Sequence, residues 1–115
     1  MPTIEQNLAT VRRRIAVACA DAGRPEDSVQ LLAVSKTFGA EAIREALRAG
    51  QRQFGESYLQ EALPKLSALG GETVIWHFIG PLQSNKTRGV AEHFDWAHGV
   101  DRTRIAERLS AQRPE

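Results

Sequence analysis

The sequence predicts an α/β protein with a parallel sheet, in which one helix is followed by four strand–helix units. Two observations support this fold class. Short apolar or β-branched runs alternate with segments whose apolar residues recur at helical spacing, and a new strand begins about every 20 residues. The helix that connects two successive strands makes those strands parallel and the crossover right-handed. The chain has 115 residues, which is long enough for one domain with a single core.

The N-terminal helix begins with a capping box, because Thr3 is followed three residues later by Gln6. The first strand is predicted at residues 31–37, a short apolar run that contains a lysine near its end. The next helix starts at about Ala40 and stops at Gly50, since glycine is common just past a helix end. Apolar residues of the N-terminal helix recur at helical spacing, and these are Ile4, Leu8, Val11 and Ile15.

The other three strand–helix units repeat this pattern. Strands are predicted at residues 52–55, 73–80 and 94–98, of which the middle one is the richest in β-branched and aromatic side chains. Ser57 with Gln60 fits a capping box that opens the second of these helices to follow a strand, and Pro64 should kink that helix or mark a restart. Residues 84–86 open the next helix, which lasts to about Glu92. Asp101 caps the last helix, which ends near residue 113.

Composition and charge exclude several classes of function. The formal net charge is +1, so no general field favours nucleic acid or an anionic membrane. No apolar run approaches the length of a membrane span, and the N-terminus does not have the pattern of a signal peptide. The single cysteine, Cys19, cannot form an internal disulfide, so we expect a reduced, cytoplasmic protein. No histidine, cysteine or carboxylate cluster has metal-ligand spacing, and we predict no metal.

Lys36 is the candidate reactive residue. It lies at the carboxyl end of the first predicted strand, and ligands of α/β proteins gather at that edge of the sheet. A lysine held there and partly desolvated loses some of its preference for the charged form and becomes a usable amine nucleophile. Such an amine forms Schiff bases with carbonyl compounds. An ordinary solvated lysine at a strand end fits the spacing as well.

Periodicity alone leaves two architectures open, a doubly wound sheet and part of a (β/α)8 barrel. Four motifs favour the barrel, because in their order and spacing the chain resembles the pyridoxal phosphate homeostasis proteins, a group of barrels similar to alanine racemase. They are AVSKT at residues 33–37, QFGESYLQE at 53–61, WHFIGPLQSNK at 76–86 and, less distinctive, HGVD at 98–101. The resemblance implies a TIM-barrel type fold, of which residues 1–115 hold about the first four βα units, the N-terminal half.

The resemblance also implies a function. It predicts a protein that is not an enzyme, that holds pyridoxal 5'-phosphate as a Schiff base on Lys36, and that takes part in intracellular homeostasis of this cofactor. Ser57 stands where the family usually has asparagine, so a cofactor contact made by that amide would here be made by a hydroxyl. The glycine- and serine-rich segment that binds the cofactor phosphate in the family has no counterpart in these residues.

Further polar residues are candidates for contacts with the cofactor. His77 alternates with Trp76 and Phe78, so it points into the barrel if those aromatic side chains pack on helices, and there it could touch a pyridine ring. A hydrogen-bonded core histidine explains His77 as well. His98, at the end of the fourth strand, is a second candidate for a ring contact.

Other candidates have simpler explanations. Glu56 and Glu61 could form a carboxylate pair, although Glu61 fits a solvated helix face. Backbone amides at residues 84–86 could favour an anion, and capping explains this segment equally well.

Two alternative functions stay open. A racemase or another Schiff-base enzyme of this barrel type would need a second base, and the only tyrosine, Tyr58, follows a helix cap and is poorly placed. A half-barrel with weak cofactor binding would expose the inner face of its sheet, with Val34, Ile75, His77 and Ile79. We would then expect two chains to associate and cover that face.

Overall fold

The computed structural model describes residues 3–114 and contains five α-helices that alternate with four short strands. The elements are α1 (Ile4–Asp21), β1 (Ala33–Val34), α2 (Ala40–Arg48), β2 (Gln53–Glu56), α3 (Leu59–Ala68), β3 (Ile75–Phe78), α4 (Thr87–His93), β4 (Trp96–Ala97) and α5 (Thr103–Gln112). Two 3-10 helices, Glu26–Ser28 and Ser84–Lys86, precede β1 and α4. The predicted α/β class and the predicted number of strand–helix units are therefore confirmed.

The four strands form one parallel sheet in the order β1-β2-β3-β4, so each strand lies beside its neighbour in the chain. A doubly wound sheet needs a point at which the strand order reverses, and no such point occurs among these strands. Sequential winding in one direction is the arrangement of a (β/α)8 barrel. The chain thus holds four βα units of the barrel type, preceded by the helix α1.

The two faces of the sheet differ sharply in burial. On the outer face, aromatic side chains of β2 and β3 pack under the helices, and Phe54 and Phe78 are each only 2% exposed. On the inner face, Val34 is 48% exposed and Trp96 is 61% exposed. The core consequently lies between the outer face and the helices, where burying each large apolar side chain contributes roughly 1.5–3 kcal/mol.

Helix ends follow the predicted signals in some places and not in others. At α1, Thr3 and Gln6 form the predicted capping box, and the left-handed Gly50 (φ +93°) follows the end of α2. The predicted caps at Ser57 and Asp101 are wrong, because α3 and α5 begin one residue later than those caps require. The residues flanking these helices are Tyr58 and Arg102, and neither side chain makes a capping hydrogen bond.

Pro64 lies inside α3, which runs without a break from Leu59 to Ala68, so the predicted restart does not occur. The strands are also shorter than predicted, since the runs at residues 31–37 and 73–80 contribute only two and four ladder residues. Within residues 3–114, no helix is long and apolar enough to span a membrane.

Candidate functional site

Lys36 lies in a tight turn immediately after β1, at the carboxyl edge of the sheet. The amide of Phe38 donates to the carbonyl of Ser35 (3.0 Å), which closes a four-residue turn with Lys36 and Thr37 at its centre. The amide of Ser35 donates to Gly55 (2.9 Å) and ties the start of this turn to β2. Lys36 itself is exposed, whereas partial desolvation was predicted. The difference arises because the turn leads the chain out of the sheet.

Thr37 adopts a strained backbone conformation. Its φ is +72°, and it is the only non-glycine residue with a positive φ in the described chain. Positive φ at the third position is the signature of a type II turn, which usually has glycine there. For a β-branched residue this region is a genuine outlier that costs about 1–3 kcal/mol. Such a conformation persists only where surrounding contacts hold it.

A charged cluster on the outer face supplies those contacts. We name it the lysine cluster: Ser35, Glu56, Glu61 and Lys65. The ammonium of Lys65 donates to the carbonyl of Ser35 (3.0 Å), to both carboxylate oxygens of Glu56 (3.2 Å each) and to Oε1 of Glu61 (2.9 Å). The hydroxyl of Ser35 donates to the Glu56 carboxylate. Oε1 of Glu61 also accepts from the backbone amide of Thr37 (2.6 Å).

The lysine cluster is largely removed from water. Glu56 is fully buried and Lys65 is 8% exposed, while the side chain of Glu61 keeps 34% exposure. Hydrogen bonds from the Lys65 ammonium, and then from the Thr37 amide, hold the pKa of Glu61 below its ordinary value of 4.5. Removing one partner of a buried ion pair leaves an uncompensated charge, so the cluster is a rigid unit.

The carboxylate pair considered from the sequence therefore exists, but its role is different from a solvated face. Glu56 and Glu61 meet around Lys65, a residue that the sequence analysis missed. A signal was present, because Ala62, Lys65 and Leu69 recur at helical spacing and are all buried. A lysine on the apolar stripe of a helix indicates a buried partner.

A second polar group lies on the inner face, and we name it the histidine chain: Gln53, His77 and His98. Nε2 of His77 lies 2.8 Å from Oε1 of Gln53, and Nδ1 of His77 lies 2.9 Å from Nε2 of His98. Since Oε1 of Gln53 can only accept, His77 carries its proton on Nε2 and accepts from His98 through Nδ1. Burial in the first place, and then the electrostatic effect of the neighbouring His98, lower the pKa of His77 below 6.5, against a smaller opposing effect of Asp95.

His77 lies on the inner face, as the alternation with Trp76 and Phe78 predicted. It is 7% exposed, because the histidine chain and the ring of Trp96 surround it, so the expectation of an uncovered His77 is wrong. The rings of His77 and Trp96 are nearly parallel, at an angle of 6° and a centroid distance of 5.9 Å. Val34 and Ile75 on the same face are 48% and 38% exposed, in agreement with the prediction, whereas Ile79 is half-buried.

Ser57 follows β2 and is half-buried. Its carbonyl oxygen lies so close to Gly80 that a Cβ at that position would come within 2.1 Å of it. The loops after β2 and β3 therefore meet through the backbone at the carboxyl edge of the sheet, beside the turn of Lys36. Only glycine at position 80 permits this approach.

The segment Ser84–Lys86 is a 3-10 turn that leads directly into α4, which ends at His93, so the helix predicted from residues 84–86 to about Glu92 is confirmed. Arg108 of α5 donates to the carbonyl of Ser84 (3.1 Å) and to Oγ1 of Thr87 (3.2 Å). These bonds explain the segment as a structural junction between α4 and α5. No group of three or more metal-ligating side chains occurs within residues 3–114.

Comparison with known proteins gives close relatives. The chain is 60% identical over 114 residues to the pyridoxal phosphate homeostasis protein of Pseudomonas aeruginosa and 57% identical over 117 residues to that of Escherichia coli K12. Each alignment covers 99% of this chain and 50% of the relative. The chain thus spans about half the length of the curated relatives that it matches. No protein-family model matches it.

Solved structures agree with these relatives. PipY of Synechococcus elongatus, solved with PLP bound, superposes with a TM-score of 0.73 at 50% identity, covering 85% of this chain and 47% of PipY. A crystal structure of an unknown protein from Bifidobacterium adolescentis gives a TM-score of 0.87 at 34% identity, covering 95% of this chain and 49% of the other. The arrangement of helices and strands in this chain is therefore found in experimental structures.

Proposed function

We propose that this chain, which belongs to the family of pyridoxal phosphate homeostasis proteins, binds pyridoxal 5'-phosphate covalently on Lys36 and serves intracellular homeostasis of that cofactor. The observation that carries this proposal is the exposed amine of Lys36 in a turn held at the carboxyl edge of the sheet. PipY, solved with PLP bound, supports the choice of ligand.

The chemistry needs only the amine of Lys36. In its neutral form the amine adds to the aldehyde carbon, a C=N bond replaces the C=O bond, and the carbonyl oxygen leaves as water with both amine protons. Pyridoxal phosphate supplies an aldehyde on an electron-withdrawing ring. The described residues fit this reaction, because the turn keeps the Lys36 side chain exposed and the inner face beside it is open.

Residues near the carboxyl edge are suited to contact the pyridine ring. We include His77 and Ser57 in the proposed cofactor site, together with His98. Since Gln53 and His98 occupy both ring nitrogens of His77, its contribution would be made through His98 or through the ring face. Ser57 offers a hydroxyl in the loop after β2. The exposed ring of Trp96 adds a flat apolar surface on the same face.

We further propose that residues 1–115 form half of one barrel domain and that two chains can cover each other's inner faces. Support comes from the sequential strand order and from the exposed side chains of Val34, Ile75 and Trp96. Sedimentation equilibrium tests the association: a monomer at all concentrations would contradict it. A cytoplasmic location is a separate proposal, and it is supported by Cys19, which is buried and takes part in no disulfide within residues 3–114.

A role without catalysis fits this arrangement better than a racemase. The second base of a racemase would have to stand opposite Lys36, and Tyr58 is 60% exposed at the start of α3. Incubation with D- and L-alanine and pyridoxal phosphate, followed by chiral analysis, distinguishes the two functions. Racemisation above the rate of free cofactor would show that the protein is an enzyme.

Lysine mapping tests the proposed function directly. The protein is mixed with pyridoxal phosphate, reduced with borohydride and digested, and the phosphopyridoxyl group should be found on the peptide containing Lys36. The variant Lys36→Ala should lose the visible absorption band, and the control Lys86→Ala should keep it. Label on Lys65 or Lys86 with Lys36 free would contradict the proposal.

A further inference from the structure

We propose that the lysine cluster positions Lys36, with Glu61 holding the Thr37 amide and Lys65 holding the Ser35 carbonyl on either side of it. This inference rests on the proposed function of Lys36, and it assigns roles to residues that do not touch the cofactor. Glu61 and Lys65 act through the backbone, so they are positioning residues. Their effect is to restrict the directions in which the Lys36 side chain leaves the sheet.

The hydrogen bonds are placed symmetrically about Lys36. On its N-terminal side, the amide of Ser35 donates to the carbonyl of Gly55 in β2. The carbonyl of Ser35 accepts from Lys65, and its hydroxyl donates to Glu56. On its C-terminal side, the Thr37 amide donates to Glu61 over 2.6 Å. Lys36 is exposed and forms no ion pair within residues 3–114. The peptide on each side of Lys36 is therefore fixed while its side chain is free.

Strain at Thr37 makes these contacts necessary. A threonine relaxes out of the left-handed region when nothing opposes it, and that change would rotate the peptide that follows Lys36. The bond to Glu61 opposes this rotation, and the ammonium of Lys65 in turn fixes Glu61 (2.9 Å). Strained backbone held by its surroundings is a common feature of functional sites, where it preorganises a reactive group.

Lys65 has a second effect on Lys36. Glu56, at the end of β2, and Glu61, in α3, both lie next to the turn of Lys36. Either carboxylate would be a natural counterion for a lysine amine. Both are instead paired with Lys65. The lysine cluster thus satisfies its own charges on the outer face, and the Lys36 amine stays available to a carbonyl compound.

Two variants that change stability in opposite directions separate positioning from general stability. Glu61→Ala removes the acceptor of Thr37 and should lower the free energy of unfolding. Thr37→Gly fits the positive φ without strain, so its stability should equal or exceed that of the wild type. Glu61→Ala loosens the turn because it frees the Thr37 amide, and Thr37→Gly loosens it because glycine also adopts other φ values. Both variants should slow labelling of Lys36 by pyridoxal phosphate at least about threefold. Glu61→Gln keeps an acceptor oxygen and should restore part of the rate.

The matched control is Glu107→Ala, which removes an exposed carboxylate of α5 and should label like the wild type. Rates are measured by borohydride trapping and peptide mapping, and stability is measured by urea unfolding of the same samples. Wild-type labelling rates in both Glu61→Ala and Thr37→Gly would overturn the proposal. So would rates that simply follow stability, with Thr37→Gly as fast as the wild type.

Amide hydrogen exchange of the cofactor-free protein keeps this test independent of the proposed function. The Thr37 amide should be protected in the wild type and in Glu107→Ala, and it should exchange faster in Glu61→Ala. Equal exchange in all three proteins would overturn the positioning role. Wild-type label found only on Lys86 would contradict the proposed function, and the exchange measurement would still decide whether Glu61 holds the turn.

Discussion

The lysine cluster and the histidine chain lie on opposite faces of the same small sheet. They differ in how their buried polar atoms are paired. On the outer face, the lysine cluster consists of charged residues, of which Glu56 is fully buried and Lys65 is 8% exposed. On the inner face, the histidine chain consists of groups that are neutral when each hydrogen bond runs in one direction. Ion pairs stabilise the lysine cluster, whereas hydrogen bonds between uncharged side chains stabilise the histidine chain.

This difference determines what each group can do. Buried charges tolerate no missing partner, so the lysine cluster can only be rigid, which suits a role in fixing the turn of Lys36. The histidine chain holds no fixed charge, and a proton taken up at Nδ1 of His77 would end the hydrogen bond that this atom accepts from His98. The chain is covered on one side only by the partly exposed Trp96. The outer face therefore provides rigidity, and on the inner face the lowered pKa of His77 leads us to expect a dependence on pH.

The substitution Lys65→Met should have the largest effect, because it leaves the fully buried Glu56 without its ion-pair partner. We expect the free energy of unfolding to fall by about 3–5 kcal/mol. Urea unfolding followed by circular dichroism measures this loss. The same change at the exposed lysine, Lys36→Met, is the control and should cost no more than about 0.5 kcal/mol. Equal effects of the two substitutions would show that the lysine cluster contributes no special stability.

On the inner face, His77→Leu should have a smaller effect. Leucine still fills the buried position, but Gln53 and His98 each lose the ring nitrogen of His77 as a hydrogen-bond partner. Both of these residues can turn towards water, so the expected loss is about 1–2 kcal/mol. Urea unfolding again measures it, and His93→Leu, at an exposed histidine of α4, is the control. A loss as large as that of Lys65→Met would remove the contrast between the two faces.

Mild acid should destabilise the protein through His77 on the inner face. The lowered pKa of His77 means that the unfolded chain takes up a proton near pH 6.5 while the folded chain resists it. Stability that is fully present above pH 6.5 should therefore decrease as the pH falls towards the folded-state pKa. His98 and Asp95 face His77 and act in opposite directions. Unfolding measured between pH 7.5 and 5.5 should show this slope, and His77→Gln should flatten it.

The smallest effect is expected from Glu61 in stronger acid. Its lowered pKa contributes stability above pH 4.5, and this contribution is lost as the pH falls through the folded-state pKa. A third of the Glu61 side chain is exposed, so solvent screening keeps the contribution small. The wild type should exceed Glu61→Gln in stability at pH 6 and approach it at pH 3.5. A constant difference between the two proteins would show that the charge of Glu61 plays no part.

Local patterns predicted the face on which the inner residues lie. Alternation with period two placed His77 opposite Trp76 and Phe78, and the structure confirms this because all three follow the register of one strand. The βα alternation likewise predicted the parallel sheet. Sequential strand order, which distinguishes a barrel from a doubly wound sheet, depends on packing between units, and only the resemblance to a family predicted it.

Helical spacing could have marked Lys65 as buried, but local patterns could not predict its partners in the lysine cluster. Ser35 follows β1, Glu56 is the last residue of β2 and Lys65 belongs to α3. They meet because β1 and β2 are in register and α3 packs over them. The cap predicted at Ser57 failed for a related reason. The carbonyl of Ser57 lies against Gly80, and the chain stays extended through Tyr58 before α3 begins. Contacts between distant segments decided both cases.

The two tryptophans of this chain occupy opposite faces of the sheet. Trp76, on the outer face, is 7% exposed, whereas Trp96, stacked on His77, is 61% exposed. Fluorescence should therefore contain a blue-shifted component that iodide cannot quench and a red-shifted component that it can. Any molecule that covers the inner face would shield only the second component. The fluorescence of Trp96 thus reports on the inner face, and that of Trp76, on the other side of the same sheet, serves as an internal reference.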